Sequence, residues 1–176
     1  MNIELRPLEL EWIRGLVDDP ADHCAHGRVH FAVGESIFVR PEDGRLTLSA
    51  AGLFLLRTLS VDHTLDNPVS ESNLLFPCCG HTAWVHEGRF RVLCMGCPNG
   101  KNPEVIHQGD SIVVKSEQAE VLPFMSWKNA VFGFVDEVRT FYDQSLPKTE
   151  DLDEHDRAGW AAFWEEWRTR RAASYF

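Results

Sequence analysis

The residues best equipped for chemistry lie in two cysteine turns, Pro77-Cys78-Cys79-Gly80-His81 and Cys94-Met95-Gly96-Cys97-Pro98-Asn99-Gly100. Two residues separate Cys78 from His81, two separate Cys94 from Cys97, and twelve lie between the pairs. This C-x2-H…C-x2-C pattern offers four thiolate or imidazole donors, the number a structural Zn2+ takes in a tetrahedron. The expected metal ligands are therefore Cys78, His81, Cys94 and Cys97. Cys79 competes with Cys78 for its place, and His86 and His107 are substitute fourth ligands. Two readings compete with zinc: a metal-free hairpin with its thiols as buried filler, and a vicinal Cys78-Cys79 redox pair. Four protein ligands would close the shell of a zinc ion, so the expected site is structural rather than catalytic.

Other groups offer weaker chemistry. His23-Cys24-Ala25-His26, with His30 nearby, has the residue types of a metal clamp or a Cys/His nucleophilic pair, against the plainer reading of a solvated loop before a strand. Asp62-His63 with Asp66 has acid/base residue types, and Glu71, Asp110 and Glu117 are further carboxylates without a distinguishing spacing. The chain carries no P-loop, GxGxxG, GxSxG or HExxH pattern.

The elements that must position these residues follow from periodicity. Residues 7–17, PLELEWIRGLV, open on a proline and place Leu8, Trp12, Ile13 and Leu16 at helical spacing, which predicts a short N-terminal helix. Val29, Phe31 and Val33, then Ile37 and Val39, alternate about Gly34 and predict a hairpin. SAAGLFLLRTL reads as a buried helix capped by Ser49, despite Gly52. Residues 61–73 read as a loop. Short apolar segments from Leu74 to Val114, separated by Pro77, Glu87-Gly88, Pro98-Asn99-Gly100 and Gly109-Asp110, predict an antiparallel meander. A helix capped by Ser126 follows, then an acidic connection over 146–159 and a final helix with Trp160, Trp164 and Trp167 along one side. The expected fold class is α+β: an antiparallel sheet with a central cysteine-bearing meander, packed by N-terminal, central and two C-terminal helices. It is expected as a single domain over residues 1–176, with a cysteine-turn β region at about 73–123 and a helical part at about 126–176.

Composition narrows the function classes. The chain has 176 residues, 17 Lys and Arg against 27 Asp and Glu, and a formal charge of −10. That balance repels nucleic-acid phosphates and anionic lipid, since both are bound through cationic footprints. No apolar run approaches the roughly 20 residues of a spanning helix. The first residues, MNIELRPLELEW, lack the basic and then apolar segments of a secretory signal, so a cytoplasmic protein is expected. Five cysteines, four of them within 20 residues, favour thiols or metal over a disulfide framework in a reducing compartment.

The acidic stretch around the last linker, including Asp143, Glu150, Asp151, Asp153 and Glu154, has the charge to steer a basic protein into contact. Trp160, Trp164 and Trp167 are candidate interface anchors, although such a stripe more often docks on the protein's own body. The segment LLFPCCGHTAWV…GCPNG, with the preceding LTLSAAGLFLLRTL and the small acidic chain, resembles the cytosolic immunity proteins that accompany bacterial polymorphic toxins of the Rhs and contact-dependent types. The resemblance covers residues 46–107 and implies a non-enzymatic protein that binds a cognate toxin domain one to one and covers its active site. The alternatives are a small metal-dependent enzyme and a zinc-ribbon regulator or adaptor.

Overall fold

The computed structural model describes residues 2–148 and 153–175. It is α+β, with three α-helices and antiparallel strands throughout.

The chain opens with a strand, not the helix expected over 7–17: β1 (Ile3–Glu11) pairs antiparallel with β2 (His26–Val33), Leu5 opposite Phe31 and Pro7 opposite Val29. The reason is in the alternation. Leu5 and Pro7 face inward while Glu4 and Arg6 face solvent, so a period of two wins over the helical spacing. β1 is an edge strand, where a proline's missing N–H costs no ladder hydrogen bond. A register shift between Leu8 and Glu11, with Glu9 at φ 51°, then turns the chain so that Trp12 enters the core.

The predicted hairpin forms between β2 and β3 (Ser36–Val39), and β4 (Leu46–Thr47) pairs with the start of β2. α1 (Leu48–Arg57) follows, beginning after Thr47 rather than after a Ser49 cap, and all ten of its residues are buried. The central meander is present in pieces. β5 (Phe76–Pro77) pairs with β8 (Gly100–Lys101), and β6 (His81–Val85) pairs with β7 (Val92–Gly96). β9 (Glu104–Gln108), β10 (Ser111–Lys115) and β11 (Ala119–Pro123) make a separate three-stranded sheet. The expected single sheet is thus divided among four smaller ones, because the prolines and glycines near the cysteines interrupt the ladders.

α2 (Phe124–Asp143) begins directly after Pro123, two residues ahead of the expected Ser126 cap. α3 (Glu154–Ala172) starts within the expected acidic connection, where the Asp153 carboxylate accepts from the Asp156 N–H at 2.9 Å. α1 lies against both α2 and α3, and α3 packs along β6. An ideal Cβ at Gly52 would fall 2.3 Å from the Trp167 ring, and one at Gly159 would fall 1.6 Å from the Ala83 carbonyl oxygen. Both glycines permit close approach. No described helix is long and apolar enough to cross a membrane.

Candidate cysteine site

β5 and β8 continue the ribbon formed by β6 and β7, with an interruption between the two ladders. Pro77 lies opposite Gly100, the Cys78 N–H donates to the Asn99 carbonyl at 2.9 Å, and the ladder resumes at His81 opposite Gly96. Cys78-Cys79-Gly80 and Cys97-Pro98-Asn99 are therefore facing strand breaks. Gly100 is required here, since an ideal Cβ would lie 2.1 Å from the Phe76 carbonyl oxygen. The Thr47 hydroxyl donates to the Cys79 carbonyl and ties the break to β4.

At this joint Cys78, Cys79 and Cys97 come together, their sulfurs all within 4.8 Å of one another, which is metal-binding distance. Cys78 Sγ is 3.1 Å from Cys79 Sγ and 3.5 Å from Cys97 Sγ. The Asn99 side chain donates to Cys97 Sγ at 3.4 Å. The Asn99 backbone N–H, then contacts from Cys79 and Cys78, lower the Cys97 thiol below its ordinary value. Burial first, then the neighbouring thiols, pushes Cys78 up to about 12. The Cys78 thiol donates to Cys97 Sγ.

Of the expected ligands Cys78, His81, Cys94 and Cys97, the structure brings together only Cys78 and Cys97, and Cys79 completes the group. The reason is strand geometry. Successive side chains of a strand alternate in face, so residues three apart point opposite ways. His81, Ala83 and Cys94 all face the core, with Cys94 paired opposite Ala83. His86 lies at the other end of the hairpin, where its N–H donates to the Arg91 carbonyl, and His107 bonds the Thr58 carbonyl at 2.9 Å.

The inward His81 meets a residue from the first cluster singled out in the sequence. The Cys24 thiol donates to the His81 carbonyl at 2.9 Å and accepts from the His81 N–H at 3.3 Å, and its sulfur is 3.7 Å from His81 Nδ1. Burial pushes the Cys24 thiol up to about 12 and takes the His81 imidazole down to about 3. At neutral pH the pair is a neutral thiol beside a neutral imidazole, which holds the 24–26 segment against β6. His26 bonds the Cys24 carbonyl at 2.9 Å. His63 is engaged on both nitrogens, by Asn102 Oδ1 at 2.6 Å and the Val69 N–H at 3.1 Å, while Asp62 accepts from the His107 N–H. These are connections within the fold.

The expected partner-binding residues separate. Trp160 and Trp167 are 6% and 2% exposed and belong to the core, so neither is available as an interface anchor, and Trp164 is half-buried against Tyr142. The stripe docks on the protein itself because α3 packs on β6 and α1. Asp143 pairs with Arg139 one helical turn away, Asp153 caps α3, and Glu154 lies exposed in its first turn. Glu150 and Asp151 lie outside the described residues.

A different surface carries exposed apolar side chains. Between β1 and β2, Ile13, Leu16 and Val17 are 56%, 90% and 58% exposed. Their loop is firmly held: Trp12 is stacked on Phe141 at 4.7 Å with the Lys148 ammonium over its ring, and the Ile13 N–H donates to Asp22 at 2.5 Å. Tyr142 donates to the His23 carbonyl and accepts from the Ala25 N–H. Asp18 receives the Leu146 N–H and the Lys148 ammonium, which seats the start of the acidic linker beside the loop. The helical reading of residues 7–17 hid this loop by assigning Leu16 to a buried face. Comparison of the chain with family models, curated proteins and solved structures yields no match.

Proposed function

We propose that this is a cytoplasmic, non-enzymatic binding protein of the immunity type, which neutralises a basic cognate toxin domain by covering its active site. The observation that carries the reading is the anchored 12–22 loop. Three aliphatic side chains held out to water on a fixed backbone forgo burial unless something covers them, and Leu16 is 90% exposed. Leu146, 53% exposed, follows Ser145 into the acidic linker tied to the same loop through Asp18. An apolar centre on a chain of charge −10 suits a partner with an apolar patch and a cationic rim.

Binding assays with a toxin domain encoded beside this gene test the reading. Burying a leucine is worth about 1.5–3 kcal/mol, so Leu16→Asp weakens the complex by at least about tenfold while leaving the melting temperature unchanged. A neighbouring product that does not bind, or a complex indifferent to Leu16→Asp, removes the reading.

We further infer that Cys78, Cys79 and Cys97 hold Zn2+ in the cell. Three thiolates are a fitting donor set, and two N–H groups of Asn99 support the sulfur of Cys97. The ion would staple the two facing strand breaks, with a fourth ligand from water or from the partner.

A further inference from the structure

The same three sulfurs suit a second kind of ion by their number and softness. Three soft donors on one side of an ion and none on the other suit trivalent ions that keep a stereochemically active lone pair. Among the described residues, the metal-binding group holds three donors and no fourth. Cys79 is exposed and Cys78 and Cys97 are half-buried, which leaves the outer face of the cluster open to water.

We propose that Cys78, Cys79 and Cys97 form a three-coordinate site for trivalent arsenic or antimony, taken up from its hydroxide. The proposal rests on the reading of these thiols as one ligand set. Uptake balances without any oxidant or reductant: As(OH)3 and three Cys–SH give As(S–Cys)3 and three waters. Three As–O and three S–H bonds break, while three As–S and three O–H bonds form. Three thiolates neutralise a trivalent ion and complete its coordination without a fourth ligand, whereas Zn2+ at the same sulfurs takes its fourth ligand from water or the partner. Soft thiolate donors favour such an ion over harder competitors. Cys24 and Cys94 are excluded from the site because both are buried on the core side of the ribbon.

The test uses the full chain, reduced and freed of metal, titrated separately with arsenite and with Zn2+. Native mass spectrometry is expected to show one arsenic bound with loss of three hydrogens, and thiol counting should fall from five reactive groups to two in denaturant. Cys79→Ser and Cys97→Ser should each weaken arsenite binding by roughly a hundredfold through loss of one chelating arm. Cys94→Ala, at a buried thiol outside the sulfur group, should leave the stoichiometry unchanged. Zinc binding with arsenite indifferent to Cys79→Ser would overturn this proposal and spare the ligand set. Binding of neither ion would overturn both, and arsenite held through only two thiols would overturn the three-coordinate geometry.

Discussion

Glu166→Ala strands a buried cation. The Arg57 side chain is fully buried at the end of α1, and its Nε and Nη2 donate to the two Glu166 carboxylate oxygens at 2.8 and 3.0 Å. Its remaining bonds run to the carbonyls of Val69 at 2.8 Å and Val92 at 2.7 Å, and the Phe90 ring lies 4.2 Å from the guanidinium carbon. One residue thus ties α1, the 61–73 loop, β7 and α3. Removing one partner of a buried pair costs about 3–5 kcal/mol, because the other charge is left unpaired. Glu71, 3.9 Å from Arg57 Nη1, offers partial compensation, which places the expected cost near about 3 kcal/mol. For a chain of this size that is a fall of roughly 6–12 °C in melting temperature, measurable with urea unfolding as the second assay. Arg57→Met combined with Glu166→Ala should cost less than the sum of the single changes, since the double variant leaves neither charge alone. Burial by itself would raise the Glu166 carboxyl, but hydrogen bonds and charge from Arg57, then Arg170, hold it below the ordinary value. Its contribution is therefore complete above the unfolded value of about 4.3 and is lost as pH falls through the folded one. A Glu166→Ala variant within about 1 kcal/mol of the parent, or strict additivity in the double variant, would refute this account of the node.

Two further outcomes follow from other buried positions. Burial lowers the His63 imidazole, against the opposing pull of Asn102 and then Glu104, so the unfolded chain takes up this proton first and stability declines as pH drops below about 6.5. An NMR titration placing His63 above that value would contradict the assignment. Gly159→Ala, whose Cβ would meet the Ala83 carbonyl oxygen, should cost about 1–3 kcal/mol or more in urea unfolding, whereas Gly133→Ala, with nothing within 4 Å, should gain about 0.5–1 kcal/mol. Equal effects at the two positions would mean that α3 and β6 do not make this contact.

Most of the elements were legible because their periodicity met no competing signal. Phe31 and Val33 alternate and pair in β2, and Val131, Phe134, Val135 and Val138 recur at helical spacing on the buried face of α2. The N-terminus carried two signals at once: Leu5 and Pro7 repeat at two, Leu8 and Trp12 at four. What decided between them was pairing with β2, a long-range contact that no local window contains. Arg57 illustrates the same limit: it closes an apolar run in the sequence, while its partners stand at Val69, Val92 and Glu166, each from a different element.

The metal set failed on geometry rather than on chemistry. A C-x2-C pair shares one ligand site only where the intervening backbone turns; in a strand, an offset of three sends the second side chain to the other face. Both pairs here start or end inside the β6–β7 ladder: His81 opens β6 and Cys94 sits mid-strand in β7, so each is carried into the core. The residues outside the ladder, Cys78, Cys79 and Cys97, are free of that alternation and meet at the break. Pro77, Gly80, Gly96, Pro98 and Gly100 mark where pairing lapses, and they surround those three cysteines closely. Ladder-breaking residues, read before cysteine spacing, separate the thiols that can share an ion from those that fill the core.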